Sequence, residues 1–522
     1  MAEKKGFGVA SLVTGAIMIA YAIGLKAGVF AGAMAFLHTT KEADQQFYLA
    51  IIFGGLAILI GVIDSVREPQ KTNLDKLLLE PMPGVMYLVG LSMFIRWYAD
   101  PMFKLWGGQL KPTLGFDIYS VLNLNYVFLG IILGMIVTNT MGIPKWASSG
   151  IKTSRFVLKM GVITLGSMYS ILELAKLGQI SLVMIAFFVM GTVILVLMLG
   201  KIFNTPKSMT GVLATGVGVC GVSAAVASAP VVRAKSSELA YTIGTILTFG
   251  IVCMFIFPTV GKAIGMTPTQ FGAWAGTGIL NSAQVAAASL AYDAPGSIET
   301  LKVGEIFNIT RILFLPFIVI LLAVWYGTGE GEEAGSKKES VGKVIVDKFP
   351  IFVLGFILMF AASSMGVFGP KSITNFEANE KKQLKEEDIK KIEAVIATNT
   401  KLEEKEKKAL EALVEKKQVT DKKQLSALKD LTHRKVAKDI TDKKAPVETA
   451  IKNVERKNNV LEVLREFMIW FFAYGLVGLG MQITISSLRQ AGGMPLVIGI
   501  IAGIAKASLS FFAVLWLISD KI

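Results

Sequence analysis

The chain has 522 residues, of which 53% are hydrophobic, with a mean hydropathy of +0.58 and a formal charge of +14. Apolar runs approaching the ~20 residues needed to cross a bilayer recur along it, and Ile180–Leu199 carries no charge at all. That pattern excludes a soluble globular domain and makes the lipid bilayer an obligatory partner. The basic excess is spread over the connecting segments, as membrane topology requires, so it gives no reason to expect nucleic acid.

In chain order, apolar stretches predict membrane helices at Phe7–Leu25, Phe47–Ile63, Gly84–Trp97, Tyr119–Thr140, Phe156–Leu172, Ile180–Gly200, Met209–Val232, Glu238–Val260, Pro268–Tyr292, Glu305–Tyr326, Phe349–Phe368, Val463–Ile485 and Met494–Ser519. The fold class that follows is an all-α polytopic membrane protein with about 11–13 spans. Lys4 and Lys5 precede the first run without a small-residue cleavage site, which reads as a retained helix. Ala27–Leu37 either continues that helix or forms a short second one. Asn123, Asn125 and Asn139 bracket the fourth segment, with Asn139 a candidate terminator.

Two of the predicted spans are interrupted. In the first, Thr215–Val232 (TGVGVCGVSAAVASAPVV), Gly216, Gly218 and Gly221 fall in one run, and each glycine costs helix stability. The second is Ala275–Ser289 (AGTGILNSAQVAAAS). Broken helices survive in a bilayer where the freed backbone faces protein or a wet cavity, and paired ones build the substrate sites of many secondary transporters.

The sequence also repeats. Gly161–Gly178 aligns with Gly475–Gly492 at a constant offset, pairing Gly161 with Gly475, Leu165 with Leu479 and Gly166 with Gly480. An odd number of spans separates the copies, which predicts an inverted-topology repeat. Between Glu377 and Val460 the composition changes to 22 basic and 17 acidic residues. Ile389, Ile392 and Ile396, then Leu410 and Leu413, then Leu425 and Leu428 have helical spacing, and Thr400-x-x-Glu403 has the form of a capping box. This predicts a small water-exposed helical insert, either a solvated spacer or a partner-binding module. The expected organisation is therefore 1–118 N-terminal membrane helices, 119–376 transporter core, 377–460 charged insert and 461–522 C-terminal membrane helices.

No hydrolase, kinase or metal-binding signature is present, so no enzymatic activity, cofactor or metal is expected. The chemistry-bearing residues lie in and beside the two breaks. Cys220, Gly221 and Ser223 flank the first, where glycine permits close backbone approach and a half-helix N-terminus favours an anion. Thr277, Asn281, Ser282 and Gln284 flank the second, with Asn281 and Gln284 spaced for one helical face. Arg311 sits inside the tenth segment, where an unpaired charge is expensive; an anion, Glu305 or Glu173 would satisfy it. Lys506 poses the same question in the last span.

At these residues the chain resembles the YeiH family of sulfate exporters. The stretches that carry the resemblance are LGIILGMIVTN (Leu129–Asn139), KMGVITLG (Lys159–Gly166), GVCGVSAAVASAPVVRA (Gly218–Ala234), FGAWAGTGILNSAQVAAA (Phe271–Ala288), TRILFLPFIV (Thr310–Val319) and LVGLGMQITISSLRQAGGMPL (Leu476–Leu496). The resemblance implies a multi-pass carrier of the bacterial inner membrane, with inverted repeats and a core bundle that moves against a scaffold. It places the family's Cys-Gly motif on Cys220 and Gly221 and its intramembrane arginine on Arg311. The family's His-Glu pair is replaced here by Leu280 and Asn281, and a frequent basic residue by Asn308. The expectation is a secondary transporter of a small anion of the sulfate, sulfite or organosulfonate class. Its rivals are a sodium- or proton-coupled organic-anion symporter and a non-transporting scaffold or sensor acting through the insert. A coupling ion, homodimerisation and a protein partner for the insert all stay open.

Overall fold

A computed structural model describes residues 2–66, 79–114, 118–121, 124–169, 171–294, 297–327, 351–369, 372–374, 376, 383–399, 402–434, 437–441, 445–486 and 492–518. They divide into two compact units, Met1–Ala361 with Phe467–Ile522, and Ala362–Glu466.

Among the described residues the first unit contains helices and no strand. Its helices include α1 (Ala2–Lys26), α2 (Ala43–Val66), α3 (Met82–Phe94), α4 (Tyr126–Thr140), α5 (Ser154–Leu165), α6 (Ile171–Ile202), α7 (Lys207–Gly218), α8 (Val222–Ser228), α9 (Ser236–Ile264), α10 (Pro268–Gly278), α11 (Ser282–Tyr292), α12 (Glu299–Leu313), α13 (Leu315–Gly327) and α14 (Ile351–Ser364). Helix α19 (Asn459–Met481) begins in the last residues of the second unit and continues into the first, and α20 (Gly493–Leu517) follows it. Six described helical stretches are long and apolar enough to cross a membrane: Phe7–Lys26, Thr40–Val66, Leu177–Ile202, Ser236–Ile264, Glu299–Leu322 and Gly493–Leu517. This is an all-α, multi-pass membrane protein.

Helix α6 shows why. Ile185, Val189, Val193 and Val196 are buried at helical spacing, while Val183, Phe187, Ile194 and Met198 are exposed. A helix apolar on both faces is at home where one side meets protein and the other meets lipid.

The structure decides between the two readings of Ala27–Leu37, moves the start of the fourth span and gives Asn139 another role. Gly28 takes φ 78°, which ends α1 and sets off a separate short helix at Ala31–Phe36. The fourth span starts at Tyr126, because the Asn125 side chain accepts from the Val127 and Phe128 N–H groups at 3.1 and 3.3 Å and caps it. Asn139 is no terminator. Its amide donates to Ile483 O at 3.0 Å and accepts from Ile485 N–H at 2.7 Å, tying α4 to the loop after α19. Asn123 lies outside the described residues.

The repeat has a spatial counterpart. A methyl group at Gly161 would stand 3.2 Å from the Phe472 ring, and one at Gly475 would collide with Leu158. The same offset that pairs Gly161 with Gly475 pairs Leu158 with Phe472, so each contact maps onto the other with partners exchanged. That reciprocity is the mark of a two-fold relation. Gly166 presses on the Phe356 carbonyl of α14, and Gly480 on the Ile131 carbonyl of α4. Helices α4 and α14 therefore hold equivalent places in the two halves.

The second unit contains α15 (Glu386–Thr398), α16 (Glu404–Lys416), α17 (Lys422–Arg434) and α18 (Pro446–Val454). The predicted stripe residues Ile389, Ile392, Leu410, Leu413, Leu425 and Leu428 form its core with Val419, Val447 and Ile451. Its ends meet in a two-stranded antiparallel ribbon, β1 (Ser372–Thr374) with β2 (Glu455–Lys457), in register Ile373↔Arg456. The Asn458 amide closes it on Phe368 O at 2.6 Å. Thr400 lies outside the described residues; the capping box that starts α16 is formed by Glu403 and Glu406.

Candidate functional site

The two interrupted helices bring their breaks together. Helix α7 ends at Gly218, Val219 leaves the helical region (φ −102°, ψ −100°), and Gly221 turns the chain into α8 with φ 81°. Only glycine adopts that φ without strain. In the second, α10 ends at Gly278, and Ile279 and Asn281 are extended before α11 begins. A methyl group at Gly221 would stand 3.0 Å from Asn281 Cα and 3.1 Å from Leu280 O. The positive φ and the missing side chain of Gly221 thus let one break lie directly on the other.

Each first half-helix ends on a buried cation. Lys506 of α20 donates from Nζ to Val217 O at 3.0 Å and Gly218 O at 3.1 Å, the carbonyl end of α7. Arg311 of α12 donates from Nη1 to Ile279 O at 2.5 Å, just past the end of α10. Cations are favoured at helix C-termini, and freed carbonyls in a bilayer need donors. Both side chains are buried, Arg311 fully. Arg311 also donates from Nη2 to Asn308 Oδ1 at 3.0 Å, and the Asn308 amide donates to Glu305 Oε2 at 3.0 Å. Glu305, Asn308 and Arg311 thus form a relay along α12 at three-residue spacing. The Arg311 Nε has no protein acceptor. The side chain of Glu173 is outside the described residues.

Packing fixes this arrangement. Trp274 of α10 donates from Nε1 to Ala507 O at 2.9 Å, beside Lys506, and stacks on Phe257 of α9 at 3.9 Å. Gly276 and Gly272 seat α10 on the Gly304 and Thr300 carbonyls of α12, where a side chain would collide.

The sequence candidates separate into two groups. Cys220, Gly221, Asn281, Ser282 and Arg311 lie at the crossing. Cys220 is buried and lies within electrostatic reach of Arg311, Lys159 and Lys506. Ser282 is half-buried, with a hydroxyl lacking any protein partner. Ser223, one residue into α8, is exposed.

Thr277 and Gln284 are instead built into helix packing. Thr277 is fully buried and returns its hydroxyl to Ala273 O at 2.8 Å. Gln284 donates to Leu247 O at 3.3 Å and rests on Gly250 of α9. The one-face expectation for Asn281 and Gln284 is corrected. Asn281 is the extended residue before the helix, and its Oδ1 accepts from Ala283 N–H at 3.0 Å. Helical spacing does not apply across a cap.

Lys506, Asn308 and Glu305 complete the crossing but stand outside the set of site residues picked from the sequence. The signal for all three was an ionisable or amide group inside an apolar span. Beyond the membrane helices, Asp293 follows α11 and accepts from the Thr300 and Leu301 N–H groups at 2.9 and 3.1 Å. Burial pushes its carboxyl up to about 6, against the pull of those hydrogen bonds. Among the described residues no group of three metal-ligating side chains occurs.

Residues 113–382 match the family described as conserved hypothetical protein 698. The chain is 34% identical over 452 residues to a UPF0324 membrane protein of Nitratidesulfovibrio vulgaris (strain Hildenborough), spanning 85% of this chain and 97% of that protein. A second UPF0324 membrane protein of the same organism is 36% identical over 313 residues, 59% of this chain and 81% of its own length. One from Streptococcus agalactiae is 32% identical over 251 residues, 48% of this chain and 70% of its own. No solved structure matches. With more than half its length inside the family and a relative matched almost end to end, the chain belongs to the conserved hypothetical protein 698 family of UPF0324 membrane proteins.

Proposed function

We propose that this protein is a secondary transporter of a small anion, working by alternating access, with its substrate at the crossing of the two broken helices. The observation that carries the reading is the meeting of two helix breaks at Gly221 and Asn281, with Arg311 and Lys506 buried beside them. Discontinuous helices near the middle of a bundle supply polar backbone at membrane depth, and transporters use such breaks to bind solutes. Among the described residues, two cations against the one carboxylate Glu305 leave the crossing with an excess of positive charge, which suits an anion.

Cys220, Gly221, Ser223, Asn281 and Ser282 supply the backbone and short polar side chains around the substrate, and Arg311 balances its charge. The 11-residue α11 directs the positive end of its dipole toward the crossing, with Ser282 as its first residue. The proposed substrate class is sulfate, sulfite or an organosulfonate, from the family resemblance. Transport of this kind involves no covalent chemistry and needs no cofactor.

The test is thermal unfolding of the purified protein in detergent with sulfate, sulfite, thiosulfate, taurine, bicarbonate and bile acids, with and without sodium. A ligand bound by the native state raises stability with its concentration over its affinity. Stabilisation by one oxyanion, lost in Ser223→Leu and Asn281→Leu, is the expected result. Stabilisation by a bile acid alone would favour the organic-anion symporter. No response from a folded sample, with function lost only on deleting Glu377–Val460, would replace the carrier by the scaffold or sensor reading.

A further inference from the structure

We propose that Lys506 is the protein's own counter-cation at the crossing, standing where a coupling metal ion would have to stand, so that anion transport proceeds without sodium. The inference rests on the carrier reading above and deepens it.

In broken-helix transporters, the unwound carbonyls and C-terminal ends of half-helices are the groups that hold a coupling cation. Here those groups are already engaged. Val217 O and Gly218 O receive the Lys506 ammonium at 3.0 and 3.1 Å, and Ile279 O receives the Arg311 guanidinium at 2.5 Å. A sodium ion at either place would have to displace a buried cation or share its carbonyls with it. Both are costly at low dielectric.

The surroundings of Lys506 define its role further. It lies in the middle of α20, too deep to reach an interface, and is 3% exposed. The ionisable groups acting on it are Arg311, of like charge, and the Cys220 thiol. Among the described residues no carboxylate lies within ion-pair distance of it. Glu305 is held through Asn308 to Arg311. A buried ammonium beside a buried guanidinium is tolerable when the carbonyl dipoles are supplemented by a bound anion. The unpartnered Arg311 Nε and Ser282 hydroxyl at the same crossing are polar groups left for such a ligand. Lys506 therefore joins Arg311 as a fixed positive charge that sets specificity for anions, and the pair takes the place of a co-transported cation.

The role separates from simple capping by one substitution. A glutamine at 506 keeps two N–H donors for the two carbonyls but removes the charge. The experiment measures uptake of labelled sulfate, sulfite and taurine into proteoliposomes with sodium or choline outside, and anion-induced thermal stabilisation of the wild type, Lys506→Gln and Lys506→Arg. The expected results are uptake unchanged in choline, a need for roughly tenfold more anion in Lys506→Gln, and recovery in Lys506→Arg. Uptake that requires sodium, or a Lys506→Gln protein that binds the anion as tightly as wild type, overturns the inference and leaves the carrier reading standing. Absence of both uptake and stabilisation with every anion overturns the carrier reading and this inference together. Should Lys506→Gln fail to fold, the sodium replacement on wild type still decides.

Discussion

Gly221 and Asn281, 60 residues apart in sequence, lie back to back: a methyl group on Gly221 would stand 3.0 Å from the Asn281 Cα and 3.1 Å from its Cβ. Gly221→Ala is therefore opposed twice, by a φ of 81° and by the facing backbone. The expected loss is about 2 kcal/mol or more. Gly142→Ala is the control, since Gly142 has φ 75° with open space around it and meets only the strain of its backbone. Thermal unfolding in detergent should place Gly221→Ala clearly below Gly142→Ala; equal midpoints would mean that the breaks are not in contact.

Asn281 combines a cap with a place at the crossing, and two substitutions separate these roles. Asn281→Ala loses the bond from Ala283 N–H and about 1 kcal/mol of stability. Asn281→Asp keeps the cap and is expected to match wild-type stability, yet adds negative charge where the substrate sits. Anion-induced stabilisation should disappear in Asn281→Asp while the ligand-free unfolding midpoint stays put. Retained stabilisation would move the ligand away from this residue.

Arg311 reaches Glu305 through Asn308, so the three act as one unit. Arg311→Met strands Ile279 O, Asn308 Oδ1 and the Glu305 charge, with an expected cost of about 3–5 kcal/mol, enough to abolish folding in many membrane proteins. Adding Glu305→Gln should recover part of that loss, because the uncompensated carboxylate goes with it. A double-mutant cycle on the amount of folded protein recovered is the check; strict additivity would show that the relay does not couple them.

Asp293 makes stability depend on pH. Its carboxyl is raised from 3.8 to about 6, chiefly by burial, so the fold holds its proton more tightly than the unfolded chain does. The stabilisation from that proton is fully present below about pH 4 and is lost as pH rises through 6. Comparison with Asp293→Asn isolates the effect: wild type should lose ground to the variant between about pH 4 and 6 and run parallel above. A difference that grows in favour of wild type over that range would reverse the sign and refute the assignment.

The apolar spans were legible because a bilayer leaves the backbone little choice. Each long uncharged run had to satisfy its N–H and C=O groups within itself, and every one of those stretches contains helix. The breaks were legible for the complementary reason: Gly216, Gly218 and Gly221 weaken a helix wherever they occur together. Caps were not. Asn125, Asn139 and Asn281 are the same residue type at three segment ends, and one caps a span, one bridges to a loop and one caps a half-helix.

The sequence by itself determined the class of the molecule, the order of its apolar segments, the interruption of two of them and the charged stretch before the last two. These are local properties, set by hydropathy and by backbone preferences a few residues long. Only the tertiary structure decided which carbonyls Lys506 and Arg311 would cap, that Gln284 would turn into α9, and that Gly221 would receive Asn281. Those outcomes depend on which helices become neighbours. The free energy of a buried charge or amide is set by the partner it finds, and that partner lies 32 residues away for Arg311 and 289 for Lys506.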